Sequence, residues 1–134
     1  NNMEIIQTIT SLPKSYTETS YAADIHISSS GNFLLASNRG HDSIAIFSIN
    51  KSTGKIDTVG HTTTQGEHPR NFAIIEGSEI DTSIVFVANQ YSNNIVTFVL
   101  NETNGSLEPN GQIATVPAPV CIKLLHASGS YNIY

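Results

Sequence analysis

The sequence predicts an all-β protein that forms part of a β-propeller, and three observations support this fold class. Short runs of β-type residues alternate with turn residues along the chain, which is typical of strands joined by tight connections. No window shows a 3.6-residue hydrophobic period of useful length, so no helix is expected. A segment with four such runs occurs twice at a spacing of about 50 residues, as in the blades of propellers.

The repeat is visible when two parts of the chain are compared directly. The stretch FLLASNRGHDSIAIFSINKSTGKIDTVG, which starts at Phe33, aligns with IVFVANQYSNNIVTFVLNETNGSLEPNG, which starts at Ile84, at an offset of 51 residues. Upstream, AADIHIS from Ala22 aligns with PRNFAII from Pro69 at an offset of 47. The difference of four residues falls in a turn, where insertions cost little free energy.

Each repeat unit contains four predicted strands. In the first unit they are Ala23–Ser28, Phe33–Asn38, Ser43–Asn50 and Ile56–Thr64, and in the second unit they are Arg70–Ile75, Ser83–Asn89, Asn94–Leu100 and Ser106–Thr115. The turns NKSTGK and NETNGS place Asn early and Gly late, which favours tight connections between antiparallel strands. The apolar residues of the third strand point to both of its faces, as expected for stacked blades. We expect four phenylalanines in the core: Phe33, Phe47, Phe72 and Phe98.

The flanking segments have the pattern of incomplete neighbouring blades. The prediction is one partial propeller with four parts: residues 1–21, an outer strand at Met3–Leu12 plus a connection; 22–66, the first whole blade; 67–116, the second; and 117–134, the first strands of a following blade, in APVCIKLL and SYNIY. A propeller closes with four or more blades. We therefore expect either a fragment or a ring completed by other copies or other chains.

Composition excludes several classes of function. The formal charge is −5 with only six Lys and Arg, which argues against a nucleic-acid footprint. No apolar run approaches the roughly 20 residues of a membrane span. Cys121 is the single cysteine, so no intrachain disulfide framework or Cys-based zinc site is expected, and a reducing, cytoplasmic location is the simpler assumption. Cys121 itself is expected to be a small buried residue.

Four stretches of the chain resemble a known family. In order they are AADIHISSSGNFLLASNRGHDSIAIFSIN, TQGEHPRNFAI, VFVANQYSNNIVTFVLN and VPAPVCIKLL. Together they resemble the seven-bladed propeller lactonases, the group that contains bacterial 6-phosphogluconolactonase and fungal carboxy-muconate cyclase. The resemblance covers about residues 22 to 125 and looks like the last blades of such a protein. Most of the ring is missing, and the tail HASGSYNIY runs past the usual end.

Chain direction in an up-and-down blade predicts which loops share a face. The connection between the second and third strands lies at the same end as the connection into the next blade's first strand. Arg39, His41 and Asp42 should therefore share a face with His68 and Arg70, and Gln90, Tyr91 and Asn93 should lie there too. Lys51 and Lys55 should lie on the opposite face.

Arg39 and Arg70 are the candidate anion-binding residues. A guanidinium presents a planar fork that fits a carboxylate or phosphate with two hydrogen bonds, and the only two arginines of the chain fall on this face. The alternative is that each arginine bridges blades through backbone carbonyls or an acid such as Asp42 or Glu67.

His26 is a candidate for proton transfer. It follows Asp24 by two positions and so shares its strand face, which would let the carboxylate orient the imidazole. The alternatives are a channel-lining histidine hydrogen-bonded to a neighbouring blade, or a pair of metal ligands. No third ligand stands at a recognisable spacing, so no metal site is expected. His61 and His126 lack partners at motif spacing and are expected at the surface.

The resemblance and these residues lead to one expected function and one alternative. The intact protein would hydrolyse a lactone of an anionic sugar acid or related carboxylate, with Arg39 or Arg70 stabilising the oxyanion and His26 or His41 assisting proton transfer. Asp24, His68 and Gln90 would contact the substrate, and no cofactor is needed. The isolated chain would be inactive. The alternative is a non-catalytic propeller that binds a partner.

Overall fold

The computed structural model describes residues 3–127 and 130–133, with side chains up to Leu125. It contains ten strands in chain order: β1 Tyr21–Ile27, β2 Phe33–Arg39, β3 Ser43–Ile49, β4 Ile56–Thr63, β5 Pro69–Glu76, β6 Thr82–Asn89, β7 Asn94–Asn101, β8 Leu107–Thr115, β9 Leu124–Ala127 and β10 Ser130–Ile133. The described residues include no helix, and therefore none that is long and apolar enough to span a membrane.

The strands form two four-stranded antiparallel sheets, each in sequence order. We call β1–β4 blade 1 and β5–β8 blade 2. β9 and β10 form a separate two-stranded antiparallel sheet. β1 contacts β5, so the first strands of the two blades lie side by side, and β4 and β8 lie at the far edges. The predicted all-β class and the strand order are confirmed.

The main core lies between the two blades. Leu35, Ile44 and Ile46 of blade 1 pack with Phe72 and Phe98 of blade 2 in one buried cluster. On the other face of blade 1, Ala45 and Phe47 belong to a second cluster. β3 therefore buries side chains on both faces, and all four phenylalanines predicted for the core are buried.

A third cluster covers the other face of blade 2. There Ala73 and Ala88 pack with Ile122, and Leu124 packs against them. The neighbouring Cys121 is exposed, so the prediction that it is buried was wrong. Ile122 takes the inward position, and strand-like alternation turns Cys121 outward.

The two blades repeat the same hydrogen bonds to their neighbours. Asp42 and Asn93 occupy equivalent turn positions, and both have a positive φ, of 52° and 54°. The Asp42 carboxylate accepts from the backbone N–H of His68, and the Asn93 amide oxygen accepts from the N–H of Ala118. Each turn thus holds the segment that leads into the next inner strand.

A second hydrogen bond is also repeated, and it joins the end of the second strand of each blade, β2 or β6, to a segment that comes earlier in the chain. Asn38 donates to the Ser11 carbonyl, and its equivalent Asn89 donates to the Thr64 carbonyl. Thr64 follows β4, and Ser11 follows the Met3–Leu12 run that was expected as an outer strand. Residues 3–10 have no regular secondary structure. The side chain of Gln7 bonds to the backbone N–H and carbonyl of Ile56 at the start of β4, in place of a backbone ladder.

Candidate functional site

The structure places the predicted loops at one end of the blades. Tyr21, the first residue of β1, pairs with Arg39, the last residue of β2. In blade 2, Pro69 at the start of β5 pairs with Asn89 at the end of β6. The connection between the second and third strands of each blade therefore lies beside the start of the inner strand, as predicted.

At this end Arg39, Asp42, His68 and Arg70 come together, and we call them the arginine cluster. Asp42 Oδ1 accepts hydrogen bonds from the backbone N–H of Gly40 at 3.0 Å and of His68 at 2.9 Å. Burial lowers the pKa of His68 below its usual 6.5, and the positive charges of Arg39 and Arg70 lower it further, whereas Asp42 opposes them. This shift favours the neutral form of His68.

The two arginines of the cluster differ in how free they are. Arg39 donates from Nη2 to the Ala22 carbonyl at 3.2 Å and lies 5.9 Å from the centre of the Tyr21 ring. Its Nε is buried and has no hydrogen-bond partner among the described residues. Arg70 is exposed. Arg70 is thus the guanidinium that remains open to a ligand, while Arg39 is partly engaged in blade 1.

Arg70 lies in an irregularity of its strand. The register of β5 with β6 shifts between Pro69 and Asn71, and that of β1 with β2 shifts between Ala22 and Ile25. Such bulges re-aim a side chain and are frequent next to active sites. The inner strands of both blades are therefore bent at equivalent positions, and in blade 2 that position carries Arg70.

Gln90 lies beside the cluster. Its backbone N–H donates to the His68 carbonyl at 3.1 Å. Its side-chain Oε1 is buried and accepts no hydrogen bond from any described residue. A buried acceptor without a partner costs free energy, so this atom is a candidate for contact with a donor of the ligand.

Asp24 and His26 form the predicted pair. His26 Nε2 lies 3.0 Å from Asp24 Oδ2, and the His26 ring meets the Phe72 ring edge-on at 4.8 Å between centroids. The His26 side chain is 42% exposed. The carboxylate thus orients a solvent-accessible imidazole, with Nδ1 left for another contact.

Asp24 also has a structural role that the sequence did not reveal. Its Oδ2 accepts from Asn71 Nδ2 at 2.5 Å and from the Phe72 N–H at 3.2 Å, while Oδ1 accepts from the Ile25 N–H. Asn71 in turn accepts from the Ile122 N–H at 2.6 Å. This chain of bonds joins the first strands of successive blades and fixes the residue next to Arg70.

His26 is remote from Arg39. His26 pairs with Leu35, four residues along β2 from Arg39, which corresponds to about 13 Å at roughly 3.3 Å per residue. Arg70 follows His68 by two residues, and its neighbour Asn71 bonds to Asp24. The predicted residues thus divide into the arginine cluster, which includes Arg70, and the Asp24–His26 pair, which is bonded to the residue next to Arg70.

His41 points elsewhere. Its Nδ1 lies 2.6 Å from Ser43 Oγ, and its ring meets Tyr16 and His61 edge-on at 4.6 and 5.9 Å between centroids. His61 belongs to β4, the edge strand farthest from β1, and its Nε2 donates to the Ser11 carbonyl. His61 is therefore partly buried and bonded, contrary to the surface position expected. The side chain of His126 lies outside the described residues.

Metal ligands do not gather in the described part of the chain, where no three His, Cys, Asp or Glu side chains are placed to hold one ion. Asp24 and His26, considered as two ligands, gain no third ligand there.

Two further residues have contacts that the sequence did not predict. Glu102 is buried at the opposite end of the blades, where Ser28, Ser30 and Ser83 donate to its carboxylate. Tyr91, noted only for its loop, stacks on His68 with 4.0 Å between ring centroids. The repeat did contain a signal for Tyr91, since its equivalent in blade 1 is Gly40. A large residue at a position where the other blade has glycine is not required by the fold that the two blades share.

Comparisons with known proteins agree with the fold. The family model described as "Lactonase, 7-bladed beta-propeller" matches residues 1–124. The 6-phosphogluconolactonase of Formosa agariphila is 55% identical over 89 residues, which cover 65% of this chain and 24% of that protein. The 6-phosphogluconolactonase of Bacillus subtilis is 34% identical over 121 residues, covering 90% of this chain and 34% of that protein.

Solved structures give the same result. The periplasmic gluconolactonase of Pseudomonas aeruginosa superposes with a TM-score of 0.73 at 25% identity, covering 91% of this chain and 30% of that one. A protein from Lactobacillus plantarum superposes with a TM-score of 0.75 at 30% identity, covering 88% and 33%. The chain spans between about a quarter and a third of the length of the relatives it matches.

Proposed function

The chain belongs to the family of seven-bladed β-propeller lactonases, and we propose that the whole protein hydrolyses a lactone of an anionic sugar acid, as in 6-phosphogluconolactone hydrolysis. The single observation that carries the proposal is the exposed Arg70, which lies in a strand bulge two residues after His68 and next to Asn71, the residue that bonds to the carboxylate orienting His26. The names of the relatives support the same reaction class.

Hydrolysis of a lactone requires water to add to the ring carbonyl. The carbonyl oxygen gains negative charge, the bond between the acyl carbon and the ring oxygen then breaks, and the ring oxygen leaves with a proton. In the proposal, Arg70 donates hydrogen bonds to the developing oxyanion or to the anionic group of the sugar acid, assisted by Arg39. The ring thus opens to a single hydroxy acid, in which the acyl carbon has become the carboxylic acid and the ring oxygen a hydroxyl group. Because water itself is the nucleophile, neither a covalent intermediate nor a cofactor is required.

His26 is the better supported of the two histidines proposed for proton transfer. Asp24 holds its Nε2, which leaves Nδ1 to take the proton from the attacking water and return it to the ring oxygen. His41 has its Nδ1 on Ser43 and its ring against Tyr16 and His61, towards the edge strand. Gln90 and His68 would contact the substrate, and Asp24 would act by orienting His26.

A non-catalytic binding propeller is the second candidate. One observation favours it. Asp24 accepts four hydrogen bonds and Arg39 donates to a backbone carbonyl, so both side chains stabilise the fold whether or not the protein is an enzyme. Incubation of the intact protein with 6-phosphogluconolactone and simpler anionic lactones decides between the two. Hydrolysis above the spontaneous rate supports the enzyme, and its absence supports the binding module.

The proposed site needs further blades. The outward side chains of β1 include Ile25 and Ile27, each 60% exposed, and Ile113 of β8 is 59% exposed. Apolar surface of this extent on both flanks is expected where other blades pack. We propose that residues 1–21 and 117–134 belong to incomplete neighbouring blades around whole blades at 22–66 and 67–116. The rest of the ring would come from the parent protein or from other copies, and this chain alone would be inactive.

The compartment is proposed from the cysteine usage alone. One exposed cysteine and no possible intrachain disulfide fit the reducing cytoplasm. A structurally similar gluconolactonase is named periplasmic, so localisation of the tagged parent protein is the measurement that decides.

A further inference from the structure

His68 and Tyr91 form a fixed aromatic pair beside the arginine cluster. Their ring planes are 18° apart, with 4.0 Å between centroids. Three hydrogen bonds hold the two segments together: Gln90 N–H to the His68 carbonyl, Tyr91 N–H to the Glu67 carbonyl, and Glu67 N–H to Ser92 Oγ. The backbone segments that carry His68 and Tyr91 are thus hydrogen-bonded to each other, which fixes the position of the pair.

One face of the Tyr91 ring is covered and the other is open. His68 stacks on the first face, and Tyr91 is still 62% exposed. A large exposed aromatic ring that is already held in one orientation loses little conformational entropy when a ligand binds. It is therefore suited to binding a flat or weakly polar face of a ligand.

The pair is absent from the repeat and so does not serve the shared fold. The position equivalent to Tyr91 in blade 1 is Gly40, where an added Cβ would lie 2.6 Å from the Thr19 carbonyl oxygen. In the following segment the position equivalent to His68 is Ala118. The positive φ of His68 recurs at Ala118 and belongs to the fold. Blade 1 has Tyr21 at the position of His68 but Gly40 at the position of Tyr91, so the stacked pair is particular to blade 2.

The charge around the pair matches an anionic sugar ring. Asp42 Oδ1 accepts from the N–H groups of Gly40, which follows Arg39, and of His68, and Arg70 stands two residues after His68. The positive charges of Arg39 and Arg70 both lower the pKa of His68. A neutral His68 stacks under Tyr91 without adding to the positive charge. A sugar-acid lactone combines a ring with apolar C–H faces and an anionic group, and the two parts correspond to the aromatic face and the guanidinium groups.

We propose that His68 and Tyr91 form a ring-binding subsite, in which the open face of Tyr91 receives the C–H face of the sugar ring while the guanidinium of Arg70 holds its anionic group. This inference rests on the proposed lactonase function. Tyr91 is the specificity-determining residue, because a compound that has the anionic group but no ring gains nothing from it. His68 supports the platform from below.

Binding measurements on the intact protein test the subsite separately from catalysis. The probes are glucose 6-phosphate, which keeps the ring and the phosphate but has no lactone to hydrolyse, and inorganic phosphate. Tyr91→Ala is expected to raise the Kd of glucose 6-phosphate about 3- to 10-fold, the range for loss of one aromatic stacking contact. The Kd of inorganic phosphate stays within about twofold, and Tyr91→Phe, which keeps the ring, behaves as wild type.

Kinetics with 6-phosphogluconolactone provide the second readout. Tyr91→Ala should raise KM by a similar factor with kcat unchanged, because ring stacking is the same in the ground and transition states. If wild type hydrolyses the lactone and Tyr91→Ala matches it in KM and in glucose 6-phosphate binding, the subsite is overturned and the proposed function stands. If wild type neither hydrolyses the lactone nor binds glucose 6-phosphate, both are overturned.

Discussion

Asn71 donates a hydrogen bond from Nδ2 to Asp24 Oδ2 at 2.5 Å and thereby joins the first strands of two neighbouring blades. The two residues occupy equivalent positions in the repeat, 47 residues apart. Each accepts from a backbone N–H farther along the chain, Asp24 from Phe72 of blade 2 and Asn71 from Ile122, which precedes β9. The same position therefore serves as a joint from blade to blade, and in blade 2 it adjoins Arg70.

The joint predicts a large loss of stability for Asp24→Ala. The substitution leaves the Phe72 N–H and the Asn71 amide without their acceptor, which should lower the free energy of unfolding by about 2–4 kcal/mol. Denaturant unfolding of the intact protein measures the change. Asp57→Ala, an exposed aspartate of β4, is the control and should stay within about 0.5 kcal/mol. Equal effects of the two substitutions would contradict the role of Asp24 as a joint.

Glu102 predicts how stability depends on pH. Burial alone would raise the pKa of Glu102, but the hydroxyl donors Ser30, Ser83 and Ser28 outweigh it, so the pKa lies below its usual 4.5. Its contribution is therefore fully present above pH 4.5 and is lost as the pH falls through the lower pKa of the folded state. Glu102→Gln should cost about 1–3 kcal/mol at pH 7 and should flatten stability below pH 4.5. Parallel profiles for wild type and variant would refute this.

Much of the fold was predictable because the repeat sets it. Alternating residues and turn chemistry in each unit predict the four strands, and the observed β2, β3 and β4 begin at Phe33, Ser43 and Ile56 as expected. The packing of β3 on both faces followed from its apolar residues alone. Cys121 was misplaced, since an alternating segment buries one of two adjacent residues and Ile122 took that position.

The site was predictable in part. Chain direction placed Arg39, His68 and Arg70 on one face, and the spacing of Asp24 and His26 predicted their contact. The bond from Asp24 to Asn71 was not predictable, because it depends on how two blades dock. The direction of the His41 side chain was not predictable either, since the left-handed turn residue that follows, Asp42, sets the course of the loop.

The arginine cluster predicts a measurable shift in the titration of His68. Because the positive charge of Arg70 lowers the pKa of His68, Arg70→Gln should raise it, towards the usual 6.5. Proton NMR of the imidazole C–H signals in the intact protein follows the midpoint. Lys55→Gln, at the opposite end of blade 1, serves as the control and should leave it in place. A midpoint that is the same in Arg70→Gln and wild type would mean that the two side chains are not neighbours.

The most direct test of the account is lactone hydrolysis by the intact protein carrying Arg70→Lys. Lysine keeps the charge but loses the planar fork, so catalytic efficiency should fall roughly 10- to 150-fold with the fold intact, while Lys55→Ala on the opposite face changes nothing measurable. Hydrolysis of 6-phosphogluconolactone by wild type, together with this loss in Arg70→Lys, is the result we predict. A wild-type protein that hydrolyses neither this lactone nor simpler anionic ones would contradict the account.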